Sequence, residues 1–149
     1  MDRSSSRGLS APKLGKAIVD RLSVRVPSPV RVFARDLAPG LVLENEHIVV
    51  CVADGDEQWG GQGLSNGDLK ADDESPVQAR AARTAVNILS GVQDTISRIL
   101  REPWPRQSTG EMALPEARVD QQRLYLWFGP AEDAAALTLR PIEFNDILL

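Results

Sequence analysis

The sequence predicts an α+β fold: a single domain in which one long amphipathic helix, residues 76–101, packs across a largely antiparallel sheet of about five strands. Three observations predict it. Residues 76–101 carry apolar side chains at the spacing of a helix with one buried face. Short alternating or wholly apolar runs ("VRVFARD", "HIVVCVA", "RLYLWF") flank that helix on both sides. The 149 residues suit one domain, long enough to bury roughly 70% of its unfolded surface in one core.

Taken in order, residues 1–12 are rich in Ser, Arg, Gly and Pro and offer little to bury, which predicts a disordered N-terminal segment ahead of a domain over 13–149. "KLGKAIVDRL" places Leu14, Ile18 and Leu22 at helical spacing and predicts a short helix despite Gly15. "SVRVPSPVRVFARDL" alternates as a half-buried strand does, divided by Pro27 and Pro29. "LVLENEHIVVCVA" reads as a hairpin, with arms Leu41–Glu44 and His47–Val52 and a turn at Asn45-Glu46. The unbroken run Ile48-Val49-Val50-Cys51-Val52 predicts a central strand or one covered on both faces. Residues 54–74 follow as an acidic, Gly-rich loop.

The long helix is the best-marked element. Ser75, Pro76 and Gln78 predict a capping box with proline at the first helical position. Asp72, Asp73 and Glu74 precede it, where negative charge favours the helix dipole. Val77, Ala81, Ala85, Ile88, Leu89, Val92, Ile96, Ile99 and Leu100 form its apolar stripe, and Pro103 and Pro105 end it. Beyond a loop, "RLYLWF" puts Leu124, Leu126 and Phe128 on one face of a strand, and "ALTLR" returns after a turn at "GPAEDA". "IEFNDILL" fits a closing helix or an extended tail.

Charge is segregated. Residues 1–35 hold eight Lys and Arg against two acids, residues 36–75 hold ten acids against Lys70, and the net charge is −4. Such polarity marks a basic arm for nucleic acid, an acidic surface for a basic partner, or two segments that neutralise each other. The overall pI near 5.0 argues against a dedicated nucleic-acid binder. No apolar run approaches the roughly 20 residues that cross a bilayer, so no membrane partner is expected. The opening residues lack the apolar core of a secretory signal. Cys51 is the only cysteine, which excludes an intrachain disulfide and points to a reducing, cytoplasmic compartment. The preference for arginine over lysine, with abundant alanine, suits a GC-rich bacterial genome.

The acidic Gly-rich stretch fails as a phosphate cradle. Gly61-Gln62-Gly63 is followed by Leu64, Ser65 and Asn66, with no third glycine, and neither Gly63 nor Gly67 precedes a lysine. Counted as a calcium loop from Asp54, it has Trp59 where glycine is required. One His and one Cys cannot supply a zinc site, so no metal or other cofactor is expected. His47 and Cys51, four residues apart on one strand, stand about 13 Å apart and cannot form a nucleophile–base pair. The carboxylate pairs Glu44/Glu46 and Asp54/Asp56 sit at predicted turns, where water keeps them ionised. A small carboxylate-dependent enzyme is therefore the third reading of function, and no catalytic residue is assigned.

Two surfaces remain. On the long helix Arg80, Arg83, Arg98 and Arg101 fall within about 60° of one another, opposite the apolar stripe, with Asp94 among them placed to pair with Arg98. Trp59, flanked by glycine and near Asp54, Asp56 and Glu57, is the tryptophan least explained by a core, and exposed aromatics are enriched at binding sites. The order of elements is similar to that of small acidic dimeric secretion chaperones. The leading expectation is a non-catalytic protein-interaction module of adaptor, immunity or accessory type, partnered by another protein and by itself as a homodimer. Its partner-binding residues are Trp59, Asp54, Asp56, Glu57, Arg80, Arg83, Arg98 and Arg101. The second is nucleic-acid association through the basic N-terminal segment and the arginine strip.

Overall fold

The structure, a computed structural model, describes residues 8–36, 47–66, 69 and 76–149. In chain order the elements are α1 (Ala11–Leu22), β1 (Val30–Asp36), β2 (His47–Asp54), β3 (Glu57–Ser65), α2 (Val77–Leu100), β4 (Pro115–Asp120), β5 (Arg123–Phe128), β6 (Leu137–Thr138) and β7 (Ile142–Glu143). A 3-10 turn over Phe144–Ile147 follows. The fold is α+β, with α2 packed on antiparallel strands as the sequence predicts. The strands divide into two sheets: β1-β2-β3, and a second in which β5 pairs β4, β6 and β7. α2 touches β2 and β3 of the first and β4 and β5 of the second.

That position between two sheets explains a buried face wider than the predicted stripe. Ala81, Ala85, Ile88, Leu89, Val92 and Ile96 are buried as expected, and Gln93 and Thr95 join them. Each is satisfied locally. The Gln93 Nε2 donates to the Ala113 carbonyl in the approach to β4, and the Thr95 hydroxyl donates back to the Gly91 carbonyl at 3.2 Å. Full burial of a side chain such as Leu89 or Ile96 stabilises by about 1.5–3 kcal/mol.

The helix begins one residue later than its sequence suggests. Pro76 is the N-cap residue, with extended backbone, and its own side chain makes no capping hydrogen bond. Ser75 and the acids Asp72–Glu74 lie outside the described residues. At the other end Arg101 adopts the left-handed conformation (φ 58°), and the amides of Arg101 and Glu102 both close on the Ser97 carbonyl before Pro103.

Of the segment predicted to be disordered, residues 8–12 are ordered, and residues 1–7 lie outside the described residues. Leu9 bridges to Leu148, the Ser10 amide donates to the Ile147 carbonyl, and α1 starts at Ala11 with Ser10 as its cap. Leu9, Ser10 and Ala11 are all buried, because the closing 3-10 turn packs on α1. β2 is the central strand of its sheet, as its apolar run implies, and it pairs β1 and β3. The proposed partner arm Leu41–Glu44 and the turn at Asn45-Glu46 lie outside the described residues.

Candidate protein-interaction site

The largest departure from the sequence reading is at residues 54–66. Half of the predicted acidic loop is a strand. Asp54 pairs Glu57, so Gly55 and Asp56 form a two-residue hairpin turn, with Gly55 at φ +60°, a conformation glycine adopts without strain. The turn is tied to β1: the Gly55 amide donates to the Pro29 carbonyl, and the Arg31 guanidinium donates to the Gly55 carbonyl, both at 3.0 Å. β3 then pairs β2 through Ser65. The register shifts once, because Val52 faces Gly60 while Ala53 faces Gln58. Trp59 is therefore the extra residue of a β-bulge, a feature that re-aims a side chain. Its ring is 41% exposed, and its Nε1 donates to the Glu57 carboxylate at 3.2 Å. Asp54 is half-buried at the strand end, and Asp56 and Glu57 are exposed.

Two glycines of β3, Gly60 and Gly61, are packing devices. A Cβ at Gly60 would stand 3.1 Å from the Thr95 hydroxyl of α2, and one at Gly61 would stand 2.9 Å from Val49. Gly91 of α2 plays the same part in return. The Gln62 amide lies where a Gly91 side chain would be, well inside van der Waals contact of the Cβ position. The Gln62 Oε1 is buried there with no hydrogen-bond partner, the one such side-chain atom among the described residues.

These contacts fix how α2 lies. Gly91 meets Gln62 and Thr95 meets Gly60, so the helix runs antiparallel to β3. Four helical residues rise about 6 Å, close to the roughly 7 Å of two strand residues, so the two elements are nearly aligned. On the helix, at about 100° per residue, Arg80 and Arg98 lie about 20° and Arg83 and Arg101 about 80° round from Gly91, on the side away from Ile88 and Val92. The arginine row borders the β3 edge. Arg83, Arg98 and Arg101 are exposed, and among the described residues none makes an ion pair. The Arg98 Nη2 donates to the Thr95 hydroxyl at 3.4 Å, which brings it to the Trp59 end of the strand. Asp94 and Arg98 line one open hollow of about 530 Å³ with Ser97 and Met112, without the ion pair their spacing predicts. Arg80 departs from the row in function. Half-buried, its Nε donates to the Leu69 carbonyl at 3.1 Å, so it anchors the chain ahead of α2.

The basic N-terminal segment is not a free arm over the described residues. Lys13 donates to the Leu148 carbonyl, Arg25 to the Thr138 carbonyl, and Arg21 to the Arg140 and Pro141 carbonyls. Burial and the neighbouring Arg140 lower the Arg21 pKa from its ordinary value. These side chains fasten α1 and the residues after it to the C-terminal segment.

His47 and Cys51 lie four residues apart on β2, so the strand keeps them apart. Cys51 is fully buried, and burial raises its thiol pKa, which keeps it protonated and inert. Of the carboxylate pairs, Glu44/Glu46 lie outside the described residues, and Asp54 ends β2 while Asp56 sits in the hairpin turn. Among the described residues no three His, Cys, Asp or Glu side chains cluster as a metal site would require. The sequence reading missed the hairpin itself, although "DGDE" carries the Gly-Asp signal of a two-residue turn.

Comparison with protein-family models, with curated proteins and with solved structures finds no match to this chain.

Proposed function

We propose that this protein is a non-catalytic protein-interaction module, a chaperone-like adaptor, whose working surface is the edge of β3 together with the arginine row of α2. One observation carries the reading. Trp59 stands exposed on a bulge of an edge strand, between the acids of the hairpin turn and the Arg98 end of α2. An amphipathic aromatic flanked by both signs of charge is the composition of a protein-binding hot spot. The reading extends to a bacterial cytoplasm, supported by the single buried thiol, and to self-association, which a native mass measurement tests.

The test is affinity capture from the native host with the intact chain, Trp59→Ala and Arg98→Glu. The intact chain is expected to retain a defined protein partner that both variants lose, while all three show the same unfolding transition. A chain that retains nothing, or a partner retained equally by the variants, removes this surface as the working one.

A further inference from the structure

We propose that the hollow between the outer face of α2 and the loop before β4 binds a free α-amino acid with a large apolar side chain, its ammonium group held by Asp94 and its carboxylate by Arg98. This goes beyond the interaction-module reading, with which it shares only Arg98.

The hollow holds about 530 Å³, is lined by Asp94, Ser97, Arg98 and Met112, and falls within the size range of small-molecule sites. One wall is α2, on which Asp94 and Arg98 stand one turn apart, about 6 Å along the axis and about 40° round it. The other wall is the chain from Pro105 to Ala113, which is fastened on both sides of Met112. The Ala113 amide donates to the Pro105 carbonyl at 2.8 Å, and the Ala113 carbonyl accepts from Gln93 of α2. Met112 itself bridges to Arg106, and its carbonyl accepts from the Gln107 Nε2 at 3.3 Å. Ser97 joins the two walls, because its hydroxyl accepts the Trp104 amide at 3.0 Å. Both walls are therefore in place before a ligand arrives, which lowers the entropic cost of binding.

The charges facing the hollow are unspent. An aspartate four residues before an arginine on a helix ordinarily pairs with it. Here the Arg98 Nη2 turns to the Thr95 hydroxyl at 3.4 Å, on the β3 side and away from Asp94. Among the described residues Asp94 makes neither a hydrogen bond nor an ion pair. A carboxylate and a guanidinium on one hollow, beyond each other's reach, are bridged by a ligand that carries both opposite charges close together. An α-amino acid has its ammonium and carboxylate groups on one carbon, and each takes a charge-assisted hydrogen bond of about 2.8 Å. A simple anion would also meet Asp94 and a simple cation would also meet Arg98, so the pair rejects both. Met112 is half-buried and supplies the apolar lining. Its flexible thioether adapts to a large apolar side chain and makes favourable contact with an aromatic ring.

Met1 and Met112 are the only methionines, so isotope labelling of methionine methyl groups gives one NMR signal from the hollow and one reference. The probe is phenylalanine, titrated into the full chain. It is expected to shift the Met112 methyl signal with a Kd on the order of 1 mM, the affinity that about twelve non-hydrogen atoms reach at ordinary ligand efficiency. Phenethylamine lacks the carboxylate and phenylpropionate lacks the ammonium group. Each is expected to bind roughly fivefold more weakly, as the loss of one exposed ion pair and the repulsion left behind allow. Asp94→Arg and Arg98→Asp are each expected to weaken phenylalanine by a similar factor, and the double variant that exchanges the two charges to restore it. Only direct contact with the ligand gives that rescue. Trp59→Ala is expected to bind phenylalanine as the intact chain does. A Met112 methyl that does not respond, equal responses to all three compounds, or a double variant no better than the single ones overturns the proposal. So does a Met112 signal that moves only with a protein partner, which assigns the hollow to that partner. If phenylalanine fails while the chain still captures a Trp59-dependent partner, this inference falls and the module reading stands. If phenylalanine binds while capture fails, the module reading falls and this inference stands.

Discussion

Two glycines inside helices predict opposite outcomes for the same substitution. Alanine is favoured over glycine in a helix interior by about 0.8–1.0 kcal/mol, so Gly15→Ala in α1 and Gly91→Ala in α2 start with the same gain. They differ in what the new methyl meets. At Gly15 it would stand 2.9 Å from Cγ2 and 3.3 Å from Cδ1 of Ile48, a fully buried residue on the central strand with no room to retreat. Overpacking of that kind costs about 1–3 kcal/mol, which leaves a net loss of about 1 kcal/mol. At Gly91 the obstacle is the terminal amide of Gln62, a flexible group whose Oε1 has no partner to lose. Displacing it costs about 0.5 kcal/mol of rotamer strain, so Gly91→Ala is expected to be stabilising by about half a kcal/mol. Urea unfolding monitored by tryptophan fluorescence measures both, and in a chain of this size each kcal/mol moves Tm by about 2–4 °C. A double-mutant cycle sharpens the result: Ile48→Ala should cost less in the Gly15→Ala background than alone, because the collision has gone. A Gly15→Ala protein more stable than the parent would refute the close seating of α1 on β2. A loss at Gly91→Ala as large as at Gly15→Ala would mean that the Gln62 amide is firmly held in place and cannot swing aside.

Two further predictions concern local contacts. The Asn66 Oδ1 accepts the buried Ala11 amide at 2.5 Å, at the start of α1, so Asn66→Ala is expected to destabilise by about 1–3 kcal/mol in the same urea assay. An unchanged midpoint would show that water replaces the side chain. On the outer face of the second sheet, the hydrogen bonds from Arg118 hold the Glu132 pKa below its ordinary value. A carboxylate with a depressed folded pKa adds stability above its unfolded pKa and loses it as pH falls through the folded one. An NMR titration should find Glu132 ionising below the usual carboxylate range and returning to it in Arg118→Ala. No movement in the variant would refute the pairing.

Much of the fold could be read from periodicity, and the errors have physical causes. α2 and β5 were legible because each repeats a buried position many times, at 3.6 or 2 residues. β4, "PEARVD", was missed because an edge strand with a polar outer face leaves only Ala117 and Val119 as signal. β3 was read as loop because three glycines and a bulge erase its alternation. Two of them, Gly60 and Gly61, are required by Thr95 and Val49, contacts made by residues distant in the sequence, and no local pattern reports them. The arginine row was visible on the helical wheel, but its neighbour was not. That it overhangs a strand edge follows only from the pairing of Gly91 with Gln62. Arg80 shows the limit of wheel reasoning, since its place in the row is right and its side chain is already spent on Leu69.

The same redistribution of charge decides what remains of the nucleic-acid reading. By sequence, residues 1–35 offered eight basic side chains to a phosphate backbone. In the fold, Lys13, Arg21, Arg25 and Arg31 each donate to main-chain carbonyls of other segments, and using them on phosphates would unfasten α1 and the hairpin. What stays exposed on α2 is Arg83, Arg98 and Arg101. Each phosphate neutralised contributes about −0.9 to the slope of log affinity against log salt, so three arginines permit a slope of about −3. Engagement of those four N-terminal side chains as well would drive it toward about −6. Anisotropy of a labelled duplex across a salt series separates the two. A slope near −3 or no binding at all fits basic residues that serve as fasteners. A slope steeper than about −5 would mean that they leave their carbonyls for the duplex, and the protein would then have to be regarded as a nucleic-acid binder that rearranges on contact.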